Sequence, residues 1–279
     1  MPQNYIFESN LVAIKPCKYG PMMYLKNDLY IGRSLDVYGE WCDHEIQLLR
    51  QFLSPGDIVV DVGANIGTHT VPLAQAVTSA GQVLAFEPQR LLHTVLTANM
   101  ALNDLLQVQC LPLAAGSVAG FVNIPFFNPA VPDNFGNLNA YGPQAGDPVK
   151  VIALDDLSLP KCRLIKIDVE GGEAAVLLGA QQTIARCRPV LFVENNSVGN
   201  AANLNAMILG QNYACYWFFC PYFNPDNHFH HSSNLFESNA PEANLICVPK
   251  EQAVHISLEP LLHADDNYVA AYDRIRLRQ

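Results

Sequence analysis

The segment Ile58–Val77 constrains the fold more than any other part of the chain. Ile58–Val62 is an apolar run broken only by Asp61, the pattern of a buried strand. Gly63-Ala64-Asn65-Ile66-Gly67 follows as a glycine-punctuated turn, and Gly67–Val77 then reads as a helix with small and apolar faces. Pro72 fits such a helix in or near its first turn. Strand, turn and helix in this order open a parallel sheet with crossover helices. The alternation continues with strands predicted at Gln82–Phe86, Val108–Leu113, Leu164–Ile167, Val190–Val193, Tyr213–Phe219 and Ala243–Val248. Helices are predicted between them at Gln89–Leu102, Glu173–Ala185 and Val198–Leu209, and further strands at 119–124 and Val149–Ala153. With 279 residues, half of them hydrophobic and 15% charged, the chain can bury one large α/β domain.

Residues 1–40 carry short apolar pieces separated by Gly, Pro and Asn, and are expected to form an N-terminal cap. The main domain spans 41–250, beginning with a helix over His44–Phe52, and 251–279 is a helix-containing C-terminal extension. Two polar stretches, 125–148 and Pro221–Pro241, are long loops. Loops of that length inside a domain often line a site, and 125–148 reads equally as a lid or as a surface excursion.

Twenty-six acidic against sixteen basic residues give a net charge of −10, which argues against nucleic acid as a partner. No apolar run approaches the roughly 20 residues that cross a bilayer. The first ten residues lack a secretory pattern, and the eight cysteines contain no Cys-x-x-Cys pair. These features fit a cytoplasmic protein with reduced thiols and no membrane span.

Asp61 ends the first strand, at the rim where α/β sheets bind ligands. Gly63 and Gly67 leave room for a ligand to approach the backbone, and Asn65 and Thr68 belong to the same turn. The second strand ends in Phe86-Glu87-Pro88, which places an acid to accept both hydrogens of a ribose diol. A dinucleotide site would favour Gly-x-Gly-x-x-Gly, but this turn has one glycine fewer and an acid before it. S-adenosylmethionine carries an ammonium for Asp61 and a carboxylate for the turn amides, and suits the site better than NAD. A second constellation, Lys166-Ile167-Asp168-Val169-Glu170-Gly171-Gly172-Glu173, ends a strand at the same rim. Asp168 is the first candidate to orient an acceptor or take its proton, and Glu170 can share that work. Glu173 suits a capping role.

The chain resembles the FkbM family of methyltransferases. The resemblance rests on DVGANIGTHT (61–70), AFEP (85–88), LDDL (154–157), IKIDVEGGEAAVLLGA (165–180) and FVEN (192–195), and covers roughly residues 40–250. It implies a class I, Rossmann-like methyltransferase fold: a seven-stranded, mostly parallel sheet with its last strand antiparallel and helices on both faces. It also implies S-adenosylmethionine-dependent O-methylation, often of sugar or secondary-metabolite hydroxyls.

Glu194 and Asn195 end the following strand and are expected to reach the acceptor, as are Asn137 and Tyr141 on the 125–148 loop. Asp168 with Glu194 or Asn195 would also make an oxygen-rich divalent site, but a metal is the less favoured reading. His228-Phe229-His230-His231 follows Asp226. His228 is a second candidate base and His230 a candidate acceptor contact, whereas His69 is expected to pack near the cofactor tail. The expected acceptor is a small molecule or glycan. The rival readings are a polyketide-type acceptor, an NAD-dependent sugar oxidoreductase, and a non-catalytic glycan-binding module on the same fold.

Overall fold

The computed structural model describes residues 5–137, 145–252 and 254–278. The N-terminal cap is a small antiparallel sheet, β1 (Phe7–Glu8), β2 (Val12–Cys17) and β3 (Gly20–Leu25), followed by α1 (Ile31–Val37) and α2 (Asp43–Arg50). The chain then enters the central sheet through β4 (Ile58–Val62), α3 (Thr70–Val77), β5 (Gln82–Phe86), α4 (Arg90–Leu102) and β6 (Val108–Leu111). A side sheet follows, of β7 (Ala114–Ala115), β8 (Gly120–Pro125) and β9 (Gly146–Ile152). The central sheet resumes with β10 (Leu164–Ile167), α5 (Glu173–Leu178), α6 (Gln181–Cys187), β11 (Val190–Glu194), α7 (Val198–Leu209), β12 (Tyr213–Cys220) and β13 (Glu242–Pro249). The short edge strand β14 (Glu259–Pro260) and α8 (Tyr268–Arg276) end the fold.

Among the described residues the strand order is β14-β12-β13-β11-β10-β4-β5-β6. Neighbours from β11 to β6 pair in parallel, whereas β13 runs antiparallel to both β11 and β12. Among the described residues the sheet has eight strands where seven were expected: β13 is the reversed strand, and β14 adds at the edge, antiparallel to β12. Successive strands move outward from β4 through β5 to β6, and then from β10 through β11 on the other side. The crevice between β4 and β10 is thus the topological switch point, where open α/β sheets bind ligands. The central strands are buried on both faces, which explains their near-continuous apolar runs.

Three elements differ from expectation for local physical reasons. α3 starts at Thr70, not Gly67, because Gly63, Asn65 and Gly67 all have positive φ (81°, 51° and 92°) and cannot continue a right-handed helix. The predicted helix Glu173–Ala185 is two helices, with the break at Gly179-Ala180. The Asp155 carboxylate accepts from the Gln182 and Thr183 N–H groups and starts α6, while a Cβ on Gly179 would lie 2.0 Å from the Gly116 carbonyl. β9 begins at Gly146, so the end of the predicted 125–148 loop is strand.

Asn99 of α4 ties the cap to the turn after β4. Its Nδ2 donates to the Ile66 and Met23 carbonyls at 2.7 and 3.0 Å, and its Oδ1 accepts from the Met23 N–H at 2.6 Å. The side chain is fully buried, so truncation strands several backbone groups away from water. Asn99→Ala is expected to lower stability by about 2–4 kcal/mol, read as a lower midpoint in urea with an unchanged slope.

Candidate active site

At the carboxyl ends of β4, β5, β10 and β11, the structure opens a cavity. Glu87 stands at the tip of β5. Its Oε2 accepts from the Asn65 N–H and its Oε1 from the Gln89 N–H, both at 2.8 Å. Burial pushes its carboxyl up to about 7 even though these backbone bonds favour the charged form.

Across the switch point, Lys166 of β10 pairs in register with Asp61 of β4. Its Nζ lies 3.0 Å from Asp168 Oδ2 and 3.6 Å from Asp61 Oδ1. Burial alone would push this ammonium toward neutrality, but Asp168 and Asp61 outweigh it and hold its pKa above the ordinary value. Beyond β10, Asp168, Glu170 and Glu194 each place a carboxylate oxygen within 4.8 Å of the others. Glu170 has a left-handed backbone (φ 54°), and the Glu173 side chain accepts from the Gly171 N–H at 2.9 Å and the Val169 N–H at 3.3 Å. Those bonds tie Glu173 to the turn that precedes α5; the helix has no side-chain cap, so the expected capping role of Glu173 reduces to its place as the acid of the first turn. Burial and then the Asp168 charge push the Glu170 carboxyl up to about 8. Burial, then Asp168 and Glu170, push Glu194 well above its ordinary value. Glu242, at the start of β13, is raised to about 7 by burial and then by Asp168.

Of the residues singled out in the sequence, Gly63, Asn65, Thr68, Glu87, Pro88, Asp168, Glu170 and Glu194 border this cavity. Asp61 does not: it is fully buried beneath the floor, with Oδ2 accepting from the Thr70 hydroxyl at 2.7 Å and Oδ1 facing Lys166. Gly67 also lies outside the wall. The glycines serve packing more than ligand access, since a Cβ on Gly63 would lie 1.7 Å from the Asp168 carbonyl and one on Gly67 would meet Leu96 and Met100. Asn195 is turned into the core, where its Nδ2 donates to Asn205 Oδ1 at 2.9 Å.

The loop histidines are also placed elsewhere. His228 and His230 are exposed and do not border the cavity, because the 221–241 loop folds back onto the cap. There the Phe229 N–H donates to the Tyr38 carbonyl, and Phe236 packs against Tyr30, Tyr38, Trp41 and Tyr222. Asn137 is exposed and off the wall, whereas Asn134, Phe135 and Gly136 border it. Tyr141 lies outside the described residues.

Sequence reasoning missed Glu45, Glu242 and Asn244, which line the cavity from α2 and β13, and gave Lys166 no role. Only Lys166 had a local signal, its strand alternation with Asp168.

The strand order, the switch-point cavity and the acid at the tip of β5 define a class I methyltransferase fold, the class that uses S-adenosylmethionine. A family model described as the methyltransferase FkbM domain matches residues 61–229, more than half of the chain, and the chain belongs to that family. Among curated proteins it is similar to the methyltransferase sdnD of Sordaria araneosa, 31% identical over 47% of this chain and 62% of that protein. It is also similar to the hexuronic acid methyltransferase AglP of Haloferax volcanii, 31% identical over 53% of this chain and 59% of that protein. The matched region thus spans about three fifths of the length of these relatives. A solved structure of methyltransferase FkbM from Methylobacillus flagellatus KT superposes with a TM-score of 0.44 at 17% identity, covering 78% of this chain and 55% of that one.

The donor set fits the cofactor. Glu87, anchored by two amides, keeps lone pairs free for a diol, and an acidic wall complements a sulfonium cation.

Glu87, Glu170 and Glu242 all hold protons more tightly in the folded chain than at the ordinary carboxyl value of 4.5. The folded chain therefore binds more protons than the unfolded chain between about pH 4.5 and 8, and stability falls as pH rises through that window. Asp36, Asp43 and Asp266, whose values are lowered, act below about pH 4 instead. Without cofactor, Tm is expected to fall from about pH 5 to about pH 8, and Glu170→Gln to flatten that slope. A Tm that rises across the window would contradict this account.

Proposed function

We propose that the protein is an S-adenosylmethionine-dependent O-methyltransferase acting on a hydroxyl of a sugar or glycan. The observation that carries this reading is the carboxylate group Asp168, Glu170 and Glu194 at the strand ends, bordering the same cavity as Glu87. Bound S-adenosylmethionine supplies a methyl group on a positively charged sulfur. The chain's part is to align the acceptor, exclude water and receive a proton.

Glu87 takes the ribose diol, and Gly63, Asn65, Thr68 and Pro88 form the surrounding cradle. Lys166 holds one oxygen of Asp168 and leaves the other for an acceptor hydroxyl. Glu170, pushed up to about 8 by burial and the Asp168 charge, is a carboxylate able to accept a proton from an alcohol once pH rises past that value. Glu194 and Glu242 extend the oxygen-rich wall toward the other hydroxyls of a polyol. Because the wall is acidic, a neutral sugar fits it better than an ionised uronate, although one relative is named for hexuronic acid.

Asp168→Ala is expected to reduce methyl transfer by about 10²- to 10⁴-fold while calorimetric affinity for S-adenosylmethionine stays within a few-fold. Formation of S-adenosylhomocysteine with a panel of methyl glycosides reads the transfer. Undiminished transfer by the variant would remove Asp168 from the mechanism, and faster transfer to hexuronates than to neutral sugars would overturn the charge argument.

A further inference from the structure

If Glu87 takes the ribose, the amino-acid end of the cofactor needs partners on the other side of β4. Asp61, the acid expected for the ammonium, is sealed beneath the floor and bonded to Thr70. Lys166, the cation nearest the switch point, is held by two carboxylates. Glu45 of α2 and His69, the residue before α3, offer an alternative pair. Both are buried and both border the cavity. His69 Nε2 lies 3.0 Å from Glu45 Oε2, and Glu45 Oε1 accepts from Asn244 Nδ2 at 2.9 Å. Asn244 is on β13, opposite Glu194 of β11, so this pair sits on the far side of β4 and β10 from Glu87.

We infer that Glu45 and His69 bind the zwitterionic amino-acid end of S-adenosylmethionine, Glu45 taking the ammonium and His69 the carboxylate. The inference rests on the cofactor reading above. His69 Nδ1 has no hydrogen bond among the described residues and is not sealed from solvent, and the ring borders the cavity. The two ring nitrogens have different partners: Nε2 meets Glu45 Oε2, and Nδ1 is left to meet a carboxylate in the cavity. Each Glu45 oxygen keeps a second lone pair for an ammonium. Asn244 and His69 fix the carboxylate from two directions, so little ordering remains for binding to require. An acid and an imidazole side by side present an acceptor and a donor to a ligand whose ammonium and carboxylate share one carbon.

Calorimetry with three probes tests the assignment without an acceptor. S-Adenosylhomocysteine carries the whole amino-acid end, its decarboxylated analogue keeps only the amine, and 5′-methylthioadenosine has neither. His69→Ala is expected to weaken S-adenosylhomocysteine on the order of tenfold to a hundredfold and to leave the amine probe and 5′-methylthioadenosine within a few-fold. Glu45→Gln is expected to weaken both amine-bearing probes and spare 5′-methylthioadenosine, whose retained affinity also shows that the variant is folded. Should Glu45→Gln lose all three probes through misfolding, His69→Ala decides alone. Equal losses for all probes in His69→Ala, or no loss for S-adenosylhomocysteine, would overturn the assignment. A native protein that binds none of the three would refute the cofactor reading itself.

Discussion

The buried ammonium of Lys166 joins the two halves of the structure. It sits where β4 and β10 meet, with Asp61 below it in the sheet and Asp168 above it at the rim. Removing the lysine would leave a sealed carboxylate facing another carboxylate, and uncompensated buried charge is among the most costly defects a fold can carry. The ion group therefore couples register to chemistry: if β10 slipped by one residue, Lys166 would turn to the other face and Asp168 would lose its anchor. Gly63 reinforces the same junction, since its missing Cβ is what lets the Asp168 backbone approach β4.

From this junction the cavity extends to two acidic sides. The β5 side carries Glu87, fixed by backbone amides, and the β11 and β13 side carries Glu170, Glu194 and Glu242, none of which has an ion-pair partner among the described residues. Lys166 is already shared between Asp61 and Asp168. The carboxyls answer burial and mutual repulsion by holding protons near neutral pH. That is an energetic cost to the unliganded fold, borne by the groups that the proposed function turns toward the reactants. The cap contributes to this wall as well: α2 supplies Glu45, and the aromatic cluster of Tyr30, Trp41, Tyr222 and Phe236 anchors the 221–241 loop to the cap instead of over the site.

What could be read from the sequence follows from the range of the interactions involved. Ile58–Val62, Gln82–Phe86, Leu164–Ile167 and Val198–Leu209 are read to the residue, because apolar periodicity and turn residues are local signals. Glu87 and Asp168 were legible as strand-end acids for the same reason. Asp61 was not, because its burial is imposed by Thr70 and by a lysine more than a hundred residues away. The break between α5 and α6 depends on Asp155 and Gly116, and the position of His228 depends on Tyr38 and Glu40, contacts without any local signature. Glu45 and Glu242 look like ordinary helix and strand residues until the sheet brings them to one cavity.

The acidic wall also bears on turnover. On the function proposed above, a sulfonium charge is attracted by Glu170, Glu194 and Glu242 to the extent that they are ionised, and the same wall holds the neutral thioether left after transfer less strongly. Contacts to the ribose and the amino-acid end are identical in both forms and cannot discriminate between them. Discrimination therefore falls to the carboxylates nearest the sulfur, so the groups proposed to receive the acceptor's proton also favour exchange of spent cofactor for fresh. Protonation of the wall during transfer weakens its hold on any remaining cation, which links the two roles through one set of side chains.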